Sequence, residues 1–295
     1  MPFRVLGVGI VTLDIINIVD HYPNEDEELR ADAQQLCRGG NTANTLSVLS
    51  QFNHDCFWMG TLANDSDTQI ILDDFSKNNI NTSFAKNLKS GKQPTSYITL
   101  NKSNGSRTII HHRDLPELDF EHFKTLPIEQ FDWMHFEARA IEETAKMVKL
   151  VKSQHPTISI SIEIEKPRND LQKLFNLADI YFFSKAYANE NGFSDAKDFL
   201  REQKKHSNNS DLICSWGKEG AYALLSNNKF LFSKAFPPKD IMDTIGAGDT
   251  FNAALIHSRL VKNNWQDSLI FACKIAGKKC GQYGYDNLAT NINML

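Results

Sequence analysis

Short apolar runs alternate with amphipathic segments along the second half of the chain. The apolar runs have the length of buried strands, and the amphipathic segments repeat apolar residues at helical spacing. Strands are predicted for residues 133–136, 157–164, 180–184 and 211–216, and helices for residues 142–153, 169–175, 185–191 and 195–204. Strands that alternate with helices predict a mostly parallel sheet covered on both faces, with ligands at the carboxyl ends of the strands.

The first half of the chain contains more short strands than helices. Residues 5–11 form an apolar run that predicts a buried strand, whereas residues 66–77 have the spacing of a helix. Asn104-Gly105 is a strong signal for a hairpin turn. Further short strands are predicted for residues 15–19, 29–37, 56–62, 80–85, 95–101 and 108–112. The last two strands of this series therefore form the predicted hairpin.

Composition and charge narrow the class of protein. The chain has 295 residues, of which 41% are hydrophobic, and this suits one large α/β domain with at most a small appendage. A net charge of -4 gives no basic surface for nucleic acid. Five cysteines without a CxxC pair predict a reducing, cytoplasmic location rather than a disulfide framework or a zinc site. Neither a signal peptide nor a membrane span is expected.

A glycine-containing run, residues 243–254, leads into the predicted helix 249–262, and a further helix is predicted at residues 266–280. Gly246 and Gly248 allow a tight turn that brings backbone amides close to a ligand. The helix start that follows supplies unpaired N–H groups, so the run predicts an anion site suited to a phosphate. Asp249 suits a base that takes the proton of a hydroxyl attacking that phosphate, but it would equally suit a helix N-cap.

Two glycines also lead into a helix at residue 41. Asn41 and Asn44 are three positions apart, so their amides share one helix face. An amide donates and accepts hydrogen bonds, which suits sugar hydroxyls, but Asn41 could equally cap the helix while Asn44 faces solvent. Asp14 is a lone acid in an apolar stretch, and it either contacts a partner or ligand or faces water at a strand end.

Both glycine-containing runs resemble the signatures of the ribokinase-like (PfkB) carbohydrate kinases, and the resemblance extends over residues 3–288. It implies a three-layer α/β/α sandwich with a mostly parallel central sheet and a small β-sheet lid. It also implies an enzyme that transfers phosphate from ATP to a sugar. The chain, residues 1–295, would be a single kinase domain whose lid is built from residues 12–37 and 80–112.

The resemblance also implies roles for individual residues. Asp249 would be the catalytic base, and the Gly246, Ala247 and Gly248 amides would form the anion hole. The residues implied to hold the sugar are Asp14, Gly40, Asn41, Asn44 and Asp249. The residues implied to hold ATP are Arg107, Gly217, Lys218, Glu219, Gly220, Gly246, Ala247, Gly248 and Asp249, with Phe236 and Pro237 on the adenine side.

Two shorter segments are more particular than the family signatures. Glu165-Lys166-Pro167-Arg168 and the Gly-Lys-Lys-Cys-Gly run at residues 277–281 resemble the members that phosphorylate fructose at its C1 hydroxyl. That branch implies a homodimer in which two lids interlock. In such a dimer Asp26 would reach the sugar site of the partner subunit.

The sequence departs from the family at the metal site. Many members carry an Asn-x-x-Glu motif after the strand that ends near residue 184, and here the matching positions are Ser184 and Tyr187. Glu163 and Glu165 are then the candidates to hold Mg²⁺ through water, because Mg²⁺ keeps several of its waters. The family resemblance also implies a monovalent cation, K⁺, near Asp243.

Two alternatives keep the same scaffold. The first is another kinase of the family, acting on the 6-position of fructose, on ribose or on a nucleoside. The second is a non-catalytic protein that senses a sugar or nucleotide. Intact Asp249, Gly246, Gly248, Asn41 and Arg107 argue against the second alternative. A small-molecule sugar is the expected partner, with neither nucleic acid nor a membrane.

Overall fold

The computed structural model describes residues 2–290. The strands in these residues are β1 (Arg4–Val8), β2 (Thr12–Val19), β3 (Ala33–Gly39), β4 (Asp55–Met59), β5 (Thr61–Leu62), β6 (Ile80–Asn81), β7 (Lys86–Asn87), β8 (Thr95–Asn101), β9 (Arg107–His112), β10 (Trp133–Glu137), β11 (Ser159–Ile164), β12 (Ile180–Ser184), β13 (Asp211–Ser215), β14 (Gly220–Leu224) and β15 (Phe230–Lys234). The α-helices are α1 (Asn41–Gln51), α2 (Ser66–Lys77), α3 (Phe120–Phe123), α4 (Ile141–Gln154), α5 (Lys185–Glu190), α6 (Ala196–Lys204), α7 (Ala247–Leu260) and α8 (Trp265–Cys280). Short 3-10 helices cover Ile128–Gln130, Leu171–Leu174 and Gly217–Glu219.

Nine strands form the large sheet, in the order β15-β14-β13-β12-β11-β10-β1-β4-β6. The seven strands from β13 to β6 in this order are parallel, whereas β14 and β15 are antiparallel at one edge. The chain leaves β1 toward β4 on one side and later returns to β10 on the other. This reversal opens a crevice at the carboxyl ends of β1 and β10, which is where ligands bind in sheets of this kind.

Helices cover both faces of the large sheet and bury one apolar core on each. Side chains of α4, α5 and α6 contribute to the first core, together with Leu6 and Val8 of β1. Side chains of α1, α2, α7 and α8 contribute to the second core, together with Val5 of the same strand. Because successive strand residues point to opposite faces, β1 contributes to both cores. The predicted three-layer sandwich is confirmed, and within residues 2–290 no helix is both long and apolar enough to cross a bilayer.

A separate four-stranded sheet stands beside the crevice, in the order β3-β2-β8-β9. Its strands β8 and β9 form the predicted hairpin around Asn104-Gly105. Asp14 is opposite Ser96, and Ser96 is opposite His111, so these three residues lie on one face of the sheet. All three line a cavity of the crevice. This sheet therefore forms one wall of the crevice.

Several predicted elements have other bounds. Strand β1 ends at Val8 rather than at residue 11, and β3 begins at Ala33 because the charged residues before it are in a loop. The predicted helix at residues 169–175 is a short 3-10 turn. The predicted strand at residues 80–85 is interrupted because turn hydrogen bonds join Ser83 N–H to the Asn81 side chain and Ala85 N–H to the Thr82 carbonyl.

This interruption also corrects the proposed extent of the lid. Strand β6 pairs with β4 at the edge of the large sheet, and β7 pairs with β5 in a two-stranded sheet. Residues 80–87 therefore lie outside the four-stranded sheet. The strand pairs that do build this sheet come from residues 12–39 and 95–112.

Candidate active site

Three adjoining cavities form one groove along the carboxyl ends of the parallel strands. The first, of about 320 Å³, lies beside α7, α8 and β14. The second, of about 300 Å³, shares Ser215, Thr244 and Gly248 with the first. The third, of about 470 Å³, shares Asp14 and Gly40 with the second and extends below the four-stranded sheet. We call these the outer, central and inner cavities.

The central cavity brings together residues from distant parts of the chain. It unites residues that were predicted to hold the sugar, the phosphate or Mg²⁺. They are Asp14, Gly40, Asn41, Asn44, Arg107, Glu163, Glu165, Gly246, Gly248 and Asp249. Helices α1 and α7 pack against each other, so the two glycine-containing runs at their starts open into the same space. The predicted residues thus converge on one cavity, which is the candidate active site.

Asp249 is a buried carboxylate in the first turn of α7, with 6% of its surface exposed. Asn44 Nδ2 donates a hydrogen bond to its Oδ2 at 2.8 Å. Burial raises the pKa of Asp249 to about 7, with the negative charges of Glu165 and Glu137 adding to the rise and the Asn44 hydrogen bond opposing it. A carboxylate with this pKa is suited to accept a proton near neutral pH.

Arg38, which was not among the predicted site residues, supports the pair of Asn44 and Asp249. Its guanidinium is buried and donates from Nη1 to Asn44 Oδ1 at 3.0 Å and from Nη2 to Ser47 Oγ at 2.6 Å. Its Nε pairs with the Asp74 carboxylate on α2. Because Asn44 accepts from Arg38, its Nδ2 is turned toward Asp249. The position of this arginine, directly before the Gly39-Gly40 pair, was the feature of the sequence that could have indicated its role.

The amino terminus of α7 supplies amides to the central cavity. Gly246 caps the helix with φ 72°, a left-handed conformation that favours glycine. The Ala247 N–H, predicted to be part of the anion hole, instead reaches the Thr244 carbonyl at 3.3 Å. The Gly248 and Asp249 N–H groups have no acceptor among residues 2–290. These two amides, at the positive end of the helix, are therefore the available donors for an anion.

The outer cavity is mainly apolar and matches the predicted adenine side. Its lining includes Gly217, Lys218, Gly220, Phe236, Pro237, Ala247 and Gly248. Gly277 of α8 lies so close to the Phe236 carbonyl that an added Cβ would stand 1.9 Å from its oxygen. Glu219 does not line this cavity, and its carboxylate lies 3.5 Å from Lys185 Nζ. The position of the Glu219 side chain therefore does not support its predicted contact with ATP.

Glu163 offers the groove a carboxylate oxygen suited to a divalent metal. Asn252 donates to its Oε1 at 3.1 Å, whereas its buried Oε2 has no hydrogen-bond partner among the described residues. Burial raises the pKa of Glu163 well above its ordinary value, and Asp249 and Glu137 add to the rise. A bound cation would offset the free-energy cost of ionising Glu163 in this buried position. Across residues 2–290 no three His, Cys, Asp or Glu side chains converge, so an ion here would keep mostly water ligands.

Two further predicted site residues, Asp26 and Asp243, line none of the three cavities, whereas Ser184 lines the central one. Asp26 is exposed and has φ 61°. Asp243 pairs with the buried Lys279 ammonium. Ser184 caps α5 by accepting from Tyr187 N–H at 2.9 Å, and it donates to the Glu165 carbonyl at 2.8 Å. The two positions of the missing Asn-x-x-Glu motif therefore stabilise a helix start.

A buried carboxylate beside free amides at a helix start, in a crevice at the carboxyl ends of parallel strands, is the arrangement expected of a small-molecule kinase. The model of the pfkB family carbohydrate kinases matches residues 4–291, and the chain belongs to this family. It is 39% identical to mouse ketohexokinase over 293 residues, which cover 97% of this chain and 98% of the mouse protein. The chain is therefore a sugar kinase.

Solved structures support the same fold. A putative ribokinase from Agrobacterium tumefaciens superposes with a TM-score of 0.85 at 18% identity, covering 96% of this chain and 93% of that one. The Arabidopsis thaliana ribokinase complexed with ribose and ATP gives a TM-score of 0.81 at 18% identity, covering 96% and 94%. The ribokinase-like architecture is confirmed.

Proposed function

We propose that this sugar kinase transfers the γ-phosphoryl group of ATP to the C1 hydroxyl of fructose. One observation carries the proposal: Asp249, held by Asn44, stands where the central cavity meets the free amides of α7. This arrangement suits in-line attack by a hydroxyl that loses its proton to Asp249. The 39% identity to a protein named ketohexokinase supports a ketohexose as the acceptor.

On the acceptor side, polar groups of the central cavity would orient the sugar. Thr12 Oγ1 donates to Asp14 Oδ1 at 2.8 Å, and Asn41 Nδ2 donates to Glu165 Oε2 at 3.1 Å. These contacts fix both side chains before the sugar binds. Fixed acceptors and amides lower the entropy cost of aligning the attacking hydroxyl with Asp249. Gly40 is required by the packing of the chain itself, since it has φ 109° and an added Cβ there would stand 2.4 Å from the Ile10 carbonyl oxygen.

On the donor side, fixed positive charge would stabilise the transferred group. The amides of Gly248 and Asp249 and the exposed Arg107 guanidinium face the central cavity. Preorganised donors of this kind act where negative charge develops in the transition state. Glu163 and Glu165 would hold Mg²⁺, which neutralises phosphate charge when bound. The four-stranded sheet above the inner cavity would limit the access of water.

The test is an ATP-consumption assay with fructose, ribose, glucose and adenosine, with NMR assignment of the phosphorylated carbon. Fructose phosphorylated at C1 is the expected result. Phosphorylation at C6, or turnover of another acceptor alone, would replace the substrate while keeping the kinase chemistry. Binding of ATP without turnover of any acceptor would favour a sensing protein.

The pH dependence of kcat/KM tests Asp249 as the base. Its pKa of about 7 means that the carboxylate is ionised mainly above neutral pH. We expect kcat/KM to fall about tenfold per pH unit below pH 7 and to level off above it. In Glu165→Gln the inflection should move to lower pH, because a negative neighbour that raises this pKa is removed. An inflection that does not move would assign the titration to another group.

The outer face of the four-stranded sheet supports the proposed homodimer. Cross-strand pairing puts Leu36, Ile15, Tyr97 and Ile110 in one row on the face opposite Asp14. Leu36, Tyr97 and Ile110 are 49%, 43% and 70% exposed. Strand β9 is also an exposed edge along its whole length. An exposed apolar row beside an open strand edge favours aggregation unless it is covered. Contact with a second copy of the chain would cover both features.

Asp26 tests whether the partner subunit completes the sugar site. For Asp26→Ala we expect a higher KM for the sugar and an unchanged Kd for ATP, because the loop would contact only the partner's sugar. Glu25→Ala, an equally exposed change in the same loop, is the matched control. The measurement needs light scattering to establish a dimer. Unchanged sugar affinity in a proven dimer would remove the cross-subunit contact.

A further inference from the structure

Lys279 carries a fully buried ammonium group beside the anion-binding end of the groove. It lies in the last turn of α8, and its side chain is 1% exposed. Its Nζ donates to Asp243 Oδ2 at 2.8 Å and lies 3.3 Å and 3.4 Å from the carbonyl oxygens of Asp243 and Gln282. The ring of Tyr285 lies 5.5 Å away. A buried ammonium is costly unless it is paired, so these contacts fix its position.

Asp243 connects this ammonium to the start of α7. Its Oδ2 accepts from Lys279, and its Oδ1 accepts from the Ile245 N–H at 2.8 Å. Ile245 directly precedes Gly246, the residue that caps α7. The Cys280 carbonyl adds a second connection by accepting from the N–H groups of Met242 and Asp243 at 2.8 Å and 3.3 Å. The loop of residues 242–246 is therefore held to the end of α8 at several points.

Tyr285 closes the other side of the same loop. Its hydroxyl lies where a Cβ on Gly246 would stand, only 1.9 Å away. The ring thus packs against the Gly246 backbone while its face lies near the Lys279 ammonium. Lys279, Asp243 and Tyr285 together leave the turn before α7 little freedom. The direction of the Gly248 and Asp249 amides depends on this turn.

We propose that Lys279 is a positioning residue for phosphoryl transfer, a fixed internal cation that holds residues 243–246 so that the α7 amides converge on the transferred group. The proposal rests on the proposed function of these amides. It also gives a role to the Gly-Lys-Lys-Cys-Gly run. The family resemblance implied a monovalent cation near Asp243, and the Lys279 ammonium contacts the same carboxylate.

The neighbouring lysine provides a matched control. Lys278 Nζ donates to the carbonyl oxygens of Asn287, Leu288 and Thr290 at 2.7, 3.2 and 2.9 Å. It therefore holds the segment after α8 and makes no contact with residues 243–246 among its hydrogen bonds. Lys278→Ala removes the same charge from the adjacent position of the same helix turn.

The first experiment compares Lys279→Ala with Lys278→Ala and wild type. In Lys279→Ala we expect kcat to fall about tenfold or more, because misdirected amides stabilise the transition state poorly, while the KM for the sugar stays within about twofold. Methylammonium should restore part of the lost kcat by entering the vacated space, whereas tetramethylammonium at the same concentration should not. Wild-type kcat in Lys279→Ala, or equal restoration by both ions, would overturn the proposal.

A double variant with two neutral side chains covers the case in which Lys279→Ala does not fold. Asp243→Asn/Lys279→Met removes both charges, so no unpaired buried charge remains. We expect this double variant to fold, as judged by cooperative thermal unfolding, and to keep the low kcat of Lys279→Ala. Recovery of wild-type kcat would mean that Lys279 only neutralises Asp243, and the positioning role would be wrong.

Nucleotide affinity separates this proposal from the identity of the sugar. The Kd of a non-hydrolysable ATP analogue, which keeps the γ-phosphate, is measured by calorimetry for the same variants, without any acceptor. Lys279→Ala should bind this analogue several-fold more weakly than Lys278→Ala, since fewer amides face the γ-phosphate. If the wild-type enzyme phosphorylates a sugar other than fructose, the proposed substrate is wrong. The lysine variants are then compared with that sugar as acceptor, and the test of Lys279 still holds. Equal Kd values in the two lysine variants would contradict the positioning role of Lys279 and leave the proposed substrate untouched.

Discussion

Asp249→Asn is expected to lower kcat by at least about 100-fold, because removal of a general base typically costs this much. The amide has the shape of the carboxylate and can still accept from Asn44 Nδ2, which lies 2.8 Å from Oδ2 in wild type. It cannot accept the proton of the attacking hydroxyl. The measurement is steady-state turnover at saturating ATP and sugar, at pH 8.

The stability of this variant separates loss of chemistry from loss of structure. The pKa of Asp249 is raised in the folded protein, so its ionised form at pH 8 is a cost to folding that Asn does not carry. We therefore expect a Tm equal to or above that of wild type. Asp67→Asn, the same change in the first turn of α2, should leave kcat unchanged. Near-wild-type turnover of Asp249→Asn would exclude it as the base.

Gly246→Ala and Gly248→Ala are expected to differ sharply although the two glycines are two positions apart. At Gly246 the backbone has φ 72°, and a Cβ would stand 1.9 Å from the Tyr285 hydroxyl. We expect Gly246→Ala to lose about 1–3 kcal/mol of unfolding free energy from backbone strain, and to lose activity as well. Thermal and denaturant unfolding, together with kcat/KM for ATP, measure both effects.

Gly248 lies in the helix itself, and no atom stands within 4 Å of an added Cβ. Alanine favours a helix over glycine, so the stability of Gly248→Ala should be unchanged or slightly higher. The new methyl group would enter the space between the outer and central cavities, which Gly248 lines. We expect kcat/KM for ATP to fall about tenfold or more, since small displacements of reacting groups are costly. Full activity would show that phosphate does not approach this amide.

Much of the architecture follows from local patterns. The prediction of α2 at residues 66–77 is confirmed residue for residue, since its apolar positions recur at helical spacing. The strands predicted after Trp133 are confirmed as parallel neighbours; α4, α5 and α6 cover one face of the sheet, and α7 and α8 cover the other. Residues 80–85 were predicted less well, because the side chain of Asn81 forms a turn that hydrophobicity does not reveal.

Local sequence features account for the glycine turns, the helix starts after them, and the presence of Asp249, Asn44 and Asp14. Each depends on near neighbours, through backbone freedom or the spacing of side chains on one helix. How these groups meet depends instead on contacts between distant parts of the chain. Asn44 and Asp249 are 205 positions apart, and Lys279 is 36 positions from Asp243. Burial then raised the pKa of Asp249 and fixed the Lys279 ammonium, because desolvation depends on everything packed around a group.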